Sequence, residues 1–382
     1  MSENLEELRR EIDSIDQKMV ELFKRRMEVV TQVAAYKKER GLPILDASRE
    51  RALLGKVGQA AGDELADYIQ SVYRTLLAAS RSYETGKLGQ ESQVYQGIRT
   101  ALKETNPLFP QRPTVACQGI EGAYSQLACD RLFKAPTILY FQTFDHVFKA
   151  VESGMCQYGI LPIENSTAGS VNAVYDLMIR HNFHIVRSAR LKVSHNLLAK
   201  PGVKLEDIKE VFSHEQALNQ SSGFLAKLGV KVTVVENTAV ASKMVADSQR
   251  TDVAALSSRL CAEQYGLHIV QANVQDQDSN YTRFICISKN PEIYPGADQT
   301  SLMMVLPHKP GTLYNVLAKF YALNMNLKKL ESRPLPGREF EFMFYFDVEA
   351  SVYAPEMETL FRDLESDCEQ LRYLGTYNEV IC

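Results

Sequence analysis

The chain has 382 residues, 45% of them hydrophobic and 24% charged, with a formal net charge of −4. That length suits about two to four domains, and the slightly acidic balance gives no electrostatic footprint for nucleic acid or an anionic membrane. No apolar run reaches the roughly 18 residues of a membrane-spanning helix, and the opening MSENLEELRR lacks the apolar core of a signal peptide.

The seven cysteines (Cys117, Cys129, Cys156, Cys261, Cys286, Cys368 and Cys382) form an odd set without a CxxC pair. A reduced cytoplasmic protein without a disulfide or zinc framework is the expectation. His181 and His184 are too few for a metal site and read as surface or core histidines. Neither GxGxxG nor GxxxxGK[ST] occurs, so no cofactor is indicated.

From about residue 4 to 39 the pattern predicts one long helix without Pro or Gly, stopped by GLPILD. Its apolar stripe runs Leu5, Leu8, Ile12, Ile15, Met19, Leu22, Val29, Val33 and Tyr36, and Arg26 interrupts the seam. Such a helix is roughly 50 Å long, too long for one small domain to cover, which argues for a partner helix from a second chain. Asp46 is positioned to cap a second helix through ASRERALLGKV. Asp63 is positioned to cap a third, with Leu65, Ile69, Val72, Leu76, Ser80 and Tyr83 on one face.

TGKLGQES then reads as a connector, VYQGIRTALKE as a short helix and NPLFPQRP as a break. From residue 114 short apolar runs alternate with helical patterns: TVACQG, YGILPI, HIVRSARLKV, EVFSH, VKVTVVE, VAALSS and RFICIS. This is an α/β reading with a mostly buried sheet. From about residue 298, TSLMMVL, NLKKLESRP, EFEFMFYFDVE and QLRYLGTYN read as strands around the helices GTLYNVLAKFYAL and APEMETLFRDLESD. The order βαββαβ is that of a ferredoxin-like unit.

Eleven residues turn a helix through about 1100°, so Lys37 points within roughly 20° of Arg26, whereas Arg9 lies roughly 100° away. Two cations on a half-apolar face suit a small dianion; the alternative is that Arg26 reaches solvent or pairs with an acidic neighbour. Arg49 and Glu50 start the second helix, and Ser80 and Glu84 stand one turn apart on the third.

Through LRREIDSID, ELFKRRMEVV, AAYKKERGLPILDASRERALL and AASRSYE, residues 5–85 resemble an AroQ-type chorismate mutase. The resemblance implies an interlocked helical dimer that rearranges chorismate to prephenate. This pericyclic step needs clamped carboxylates and a stabilised ether oxygen, without a nucleophile. It implies that Arg9 (from the partner chain) and Arg26 hold carboxylates, and that Lys37 reaches a carboxylate and the ether oxygen. Arg49 would line the pocket, Asp46 and Glu50 would contact the hydroxyl region, and Ser80 would complete the shell. Glu84 stands where many of these enzymes have glutamine, so it is expected to work protonated, with activity falling as pH rises.

QGIEGAYS (118–125), LPIENSTAGSVNAVYDLM (161–178), SHEQALNQ (213–220) and SNYTRF (279–284) each put small polar residues at strand ends, where α/β ligand sites form. In this order they resemble a prephenate dehydratase domain over residues 114–290. The resemblance implies two α/β lobes with a cleft, similar to type II solute-binding proteins, making phenylpyruvate. Thr282 would then serve the leaving hydroxyl, with Asn165, Ser166, Ser213 and Gln220 as polar contacts and Arg283 as a carboxylate clamp or a structural residue. His214 and Glu164 are titratable alternatives.

In the tail, KPGTLYNVLAKF and KKLESRP resemble the ACT domain of such dehydratases, which implies an L-phenylalanine site at Gly311, Thr312, Leu313, Glu331, Ser332 and Arg333. The expected organisation is a mutase domain (1–86), a linker (87–113), a dehydratase domain (114–290) and a regulatory domain (298–382). The chain would be a homodimer or tetramer. It would take chorismate and prephenate and be inhibited by L-phenylalanine through a closed or reassociated state. Arogenate as substrate, or an amino-acid-sensing protein with inactive sites, are the other readings.

Overall fold

The computed structural model describes residues 2–89, 91–277, 279–335, 337–338 and 341–382, and for residues 2–4 the backbone alone. Gln90 of the expected connector, and Glu339 and Phe340 at the start of the expected strand EFEFMFYFDVE, lie outside the described residues. The chain divides into two compact units. One comprises Met1–Gln96, Leu306–Asn324 and Ala354–Gln370; the other comprises Gly97–Val305, Met325–Tyr353 and Leu371–Cys382.

The first unit is helical. The long helix is Ser2–Arg40, followed by Ala47–Ala61 and Ala66–Lys87. The second helix starts where Asp46 predicts, its Oδ1 accepting from the Arg49 N–H at 2.9 Å. Asp63, in contrast, does not cap the third helix. That helix begins three residues later behind Leu65, whose N–H closes a backbone turn onto the Gly62 carbonyl at 3.2 Å. The turn takes up the chain that Asp63 needed for capping geometry. The second and third helices meet closely at Gly58, where an added Cβ would fall 2.4 Å from the Gln70 side chain. Along the first helix only a short stretch is covered, with Ala34 buried. The apolar stripe from Leu5 to Tyr36 stays open, its exposure running from 41% at Val33 to 66% at Leu22. The tail helices Thr312–Ala322 and Glu356–Asp367 also belong to this unit. The second of them lies on the third helix, where Ser82 Oγ donates to Asp363; beyond that helix, Tyr95 stacks on Phe361.

The second unit holds three sheets. The first, in spatial order, is Glu379–Ile381, His184–Lys192, Tyr281–Ser288, Tyr158–Asn165, Thr114–Gln118 and Thr137–Phe141, with the short strand Gly169–Ser170 beside Tyr158–Asn165. The second is His268–Gln271, Asn196–Ala199, Val253–Ser257, Glu210–Ser213 and Lys231–Val234. The chain passes between them twice, from Lys192 to Asn196 and from Gln271 to Tyr281, which makes two α/β lobes joined by two crossovers. The strands expected from the sequence are all present. Thr137–Phe141, Asn196–Ala199 and His268–Gln271 were missed.

The third sheet is Asn326–Pro334, Phe342–Glu349, Gln299–Val305 and Gln370–Tyr377, and with the two tail helices the chain order is the expected βαββαβ. Within this unit Met303, Tyr345, Leu374 and Tyr377 share one core with Phe148, Leu161, Met178 and Ile185 of the first lobe. Gly375 permits the approach: a Cβ there would lie 2.0 Å from the Ile185 carbonyl oxygen. The chain then adds an unforeseen strand, Glu379–Ile381, parallel to His184–Lys192.

Candidate active sites

In the helical unit, Arg26 and Lys37 do share a face, and each meets one member of the Ser80/Glu84 pair. Arg26 Nη1 donates to Ser80 Oγ, which in turn donates to the Leu76 carbonyl at 2.6 Å. Lys37 Nζ stands 3.0 Å from Glu84 Oε1 and also donates to the Ile44 carbonyl. Ser80 and Glu84 are buried, at 6% and 5% exposure, while Arg26 and Lys37 are half-buried. Arg26 thus neither runs to solvent nor spends its charge on Ser80, a neutral hydroxyl.

The other expected mutase residues divide. Glu50 lies in an ion pair with Arg81, a residue that sequence reasoning missed although it sits between Ser80 and Glu84 in AASRSYE. Asp46 is engaged as the helix cap, and Arg49 is exposed one turn into that helix. Arg9 is exposed and stands 17 residues, roughly 25 Å, along the helix axis from Arg26. One chain does not bring it to this site.

In the α/β unit the strand pairing sets Thr282 directly opposite Asn165. Asn165 Nδ2 donates to Thr282 Oγ1 at 2.9 Å, to Asn280 Oδ1 at 2.8 Å and to the Tyr281 carbonyl at 3.2 Å. Asn165 Oδ1 accepts from the Thr167 and Ala168 N–H groups at 3.0 and 2.9 Å, which folds the loop after the strand. Asn280 Nδ2 donates to Gln220 Oε1 at 2.9 Å, and His195 Nε2 meets the same oxygen at 2.9 Å. Burial lowers the His195 pKa against the opposing pull of Gln220, so the ring is the neutral donor. The network links both lobes and both crossovers, and it borders a cavity of about 550 Å³ lined by Thr167, Ala168, His214, Gln216, Gln220 and Asn280. Because Thr282 Oγ1 accepts from Asn165, its own proton is left to donate elsewhere.

Ser166 and Ser213 serve as local ties. Ser166 Oγ donates to the Ser279 carbonyl and accepts from the Tyr281 N–H, both at 2.9 Å, and buried Ser213 donates to the Leu256 carbonyl at 2.7 Å. Asn280 and His195 were not foreseen. Their importance comes from lying on the two crossovers, a property of the fold rather than of SNYTRF or VSHNLL.

Of its two readings, clamp and structural residue, Arg283 has the contacts of the structural one. Successive strand residues face opposite ways, so Arg283 points away from the side that Thr282 serves. It is buried against Asp347, the Tyr377 hydroxyl at 2.8 Å and Glu379 at 3.1 Å. Burial works to lower its pKa, but Tyr377 and Asp347 outweigh this and raise it. Glu164 also leaves the cleft, bound to Lys329 Nζ at 2.7 Å, while His214 stays at the cavity as the cap of Glu215–Asn219.

In the tail, Gly311 holds a positive φ of 85° before the helix, and Thr312 Oγ1 donates to the Pro307 carbonyl at 3.0 Å, with Leu313 following in the first turn. The strand Asn326–Pro334 separates the remaining effector candidates. Glu331 accepts from Ser170 Oγ at 2.6 Å, and Arg333 donates to Asp176 at 2.6 Å and Asn172 at 3.0 Å. Ser332 is exposed on the other face. Glu331 and Arg333 thus fasten this strand onto the first lobe, on the face opposite Ser332, the period of two being the reason. Among the described residues no group of three or more His, Cys, Asp or Glu side chains is placed to hold a metal ion.

Two family models match the chain: chorismate mutase type II over residues 8–85 and prephenate dehydratase over residues 115–292. The bifunctional chorismate mutase/prephenate dehydratase of Enterobacter agglomerans is 31% identical over 97% of this chain and 95% of its own length. Arogenate dehydratase/prephenate dehydratase 2, chloroplastic, of Arabidopsis thaliana is 38% identical over 79% of this chain and 86% of its own. Among solved structures, prephenate dehydratase in complex with L-Phe from Arthrobacter aurescens is similar, with a TM-score of 0.64 and 27% identity over 69% of this chain and 90% of that one. With a cationic site on its helices and a polar cleft between two α/β lobes, the chain belongs to the bifunctional chorismate mutase/prephenate dehydratase family and is an enzyme with both activities.

Proposed function

We propose that this enzyme converts chorismate to prephenate in its helical region (1–86) and prephenate to phenylpyruvate in the α/β region (114–290), for L-phenylalanine synthesis. Residues 87–113 join the two, and residues 298–382 form an ACT-type regulatory unit. The observation that carries the reading is the hydrogen bond from Asn165 to Thr282, because it leaves the threonine hydroxyl as a donor within the network that reaches the cavity through Asn280 and Gln220.

In the mutase reaction Arg26 and Lys37 take the substrate carboxylates, and the cationic face stabilises charge that grows on the ether oxygen as its C–O bond breaks. The open stripe from Leu5 to Tyr36 supports a second copy as the missing wall, which would bring the partner's Arg9 to this site. In the dehydratase reaction the ring carboxylate leaves as carbon dioxide. Its bonding electrons enter the ring, which aromatises, and the hydroxyl departs at the far end with the help of a hydrogen bond from Thr282. A threonine hydroxyl is a weak acid, so its contribution is a positioned donor in a closed cleft.

L-Phenylalanine acts as the inhibitor in this reading, supported by the ligand of the Arthrobacter aurescens relative. Gly311, Thr312, Leu313, Glu331, Ser332 and Arg333 are the effector candidates. Lys329, Glu331 and Arg333 tie the strand that carries Ser332 to Glu164, Ser170 and Asp176, residues flanking Asn165, which offers a short route to the cleft. Arogenate is the second reading, favoured by the plant relative. The test follows chorismate to phenylpyruvate with and without saturating L-phenylalanine, and compares prephenate with arogenate in the second step. Turnover of chorismate and prephenate with inhibition is expected; no inhibition, or a preference for arogenate, would refute that part.

A further inference from the structure

The third helix carries three polar residues in a row, Ser80, Arg81 and Ser82, and each takes a different partner. Ser80 accepts from Arg26, Ser82 donates to Asp363, and Arg81 forms an ion pair with Glu50 from the first turn of the second helix. The Arg81 and Glu50 side chains are 26% and 24% exposed, so their attraction is screened less than that of a surface pair. Only Oε1 of Glu50 is engaged by Arg81. Arg81 lies three residues before Glu84 and so neighbours it on the helix surface.

The charges explain why an arginine there matters. A dianion approaching this site meets two acids, Glu50 and Glu84, either of which would repel it or compete with it for Arg26 and Lys37. Lys37 covers Glu84 and Arg81 covers Glu50. Arg26, bonded to the neutral hydroxyl of Ser80, keeps its charge for a carboxylate. We propose that Arg81 is a positioning residue of the mutase reaction. It holds Glu50 with Oε2 free for the substrate hydroxyl, and it prevents Glu50 from drawing Arg26 or Lys37 away from the substrate carboxylates. This rests on the mutase reading above.

The test is steady-state mutase kinetics on the full chain for the wild type, Arg81→Ala, Arg81→Lys, Glu50→Gln and the double variant Arg81→Ala/Glu50→Gln. Dehydratase turnover and helical circular dichroism report folding. Arg81→Ala is expected to raise KM for chorismate about tenfold with a smaller change in kcat, the pattern of lost binding rather than lost chemistry. Arg81→Lys should recover much of the loss. In the double variant KM should return to the Glu50→Gln value, because the uncompensated charge is gone. A mere staple between helices would lower thermal stability and both activities without moving KM. That result, or additive effects on KM in the double variant, would overturn the proposal. If Arg81→Ala fails to fold, the Arg81→Lys and Glu50→Gln pair decides by the same KM comparison. A wild-type protein that does not consume chorismate would overturn the mutase reading and Arg81's role with it.

Discussion

The helical site and the α/β cleft solve different chemical problems with different materials. The helical site is made of ions: Arg26, Lys37 and Arg81 set against Glu50 and Glu84, on three helices, the first with an open apolar stripe. The cleft is made of neutral groups: Asn165, Asn280, Gln220, His195 and Thr282, linked by hydrogen bonds of 2.8 to 2.9 Å at strand ends and crossovers. A rearrangement without proton transfer needs fixed charge around a dianion, which helix faces supply at regular angles. An elimination needs a directed donor, and two strands in register aim a hydroxyl better than a flexible ion could. Ion sites are sensitive to charge and pH, whereas amide networks are sensitive to the loss of any member.

The largest expected effect separates the two sites outright. Thr282→Ala should lower dehydratase turnover on the order of 10³-fold and leave mutase turnover within twofold; equal loss of both would mean that the sites are not independent. The second concerns the open stripe. Leu22→Asp places a charge in a seam meant to be buried, at a cost of several kcal/mol. Light scattering should then show a smaller particle, and mutase activity should be lost while dehydratase activity stays. Retained mutase activity in the smaller particle would show that one chain suffices.

A finer test uses pH. The smallest effect lies in stability and belongs to the α/β unit. Burial, with a further push from Arg372, lowers the His184 pKa from 6.5 to about 4. The folded state therefore holds this ring neutral, and the unfolded state binds the proton first. Stability is full above about pH 6.5 and is lost as pH falls toward 4, so His184→Gln should flatten the acid limb of the melting temperature by a few degrees. An unchanged acid limb would place the acid sensitivity elsewhere.

Much of this was legible in the residues. The heptad stripe with its Arg26 interruption, the Asp46 cap, the alternation of strands and helices and the βαββαβ tail all follow from local periodicity, which a chain carries in one dimension. Arg26, Lys37, Ser80 and Glu84 were legible because helical geometry converts spacing into direction. Asn165, Gln220 and Thr282 were reached through resemblance, since no spacing rule connects residues more than fifty positions apart.

Tertiary structure decided the rest, and for one physical reason: a side chain's partner depends on which segments meet. Arg283 had two readings, clamp and structural residue, until Asp347, Tyr377 and Glu379 closed around it. Glu331 and Arg333 gained their partners Ser170 and Asp176 only when the strand met the first lobe. Asn280 and His195 gained importance only when the two crossovers brought them to Gln220, and Arg81 only when Glu50 arrived from another helix. By itself the sequence determined which faces are apolar and which chemistry is available. The fold determined which of those charged and polar groups are already satisfied, and so which remain for a substrate.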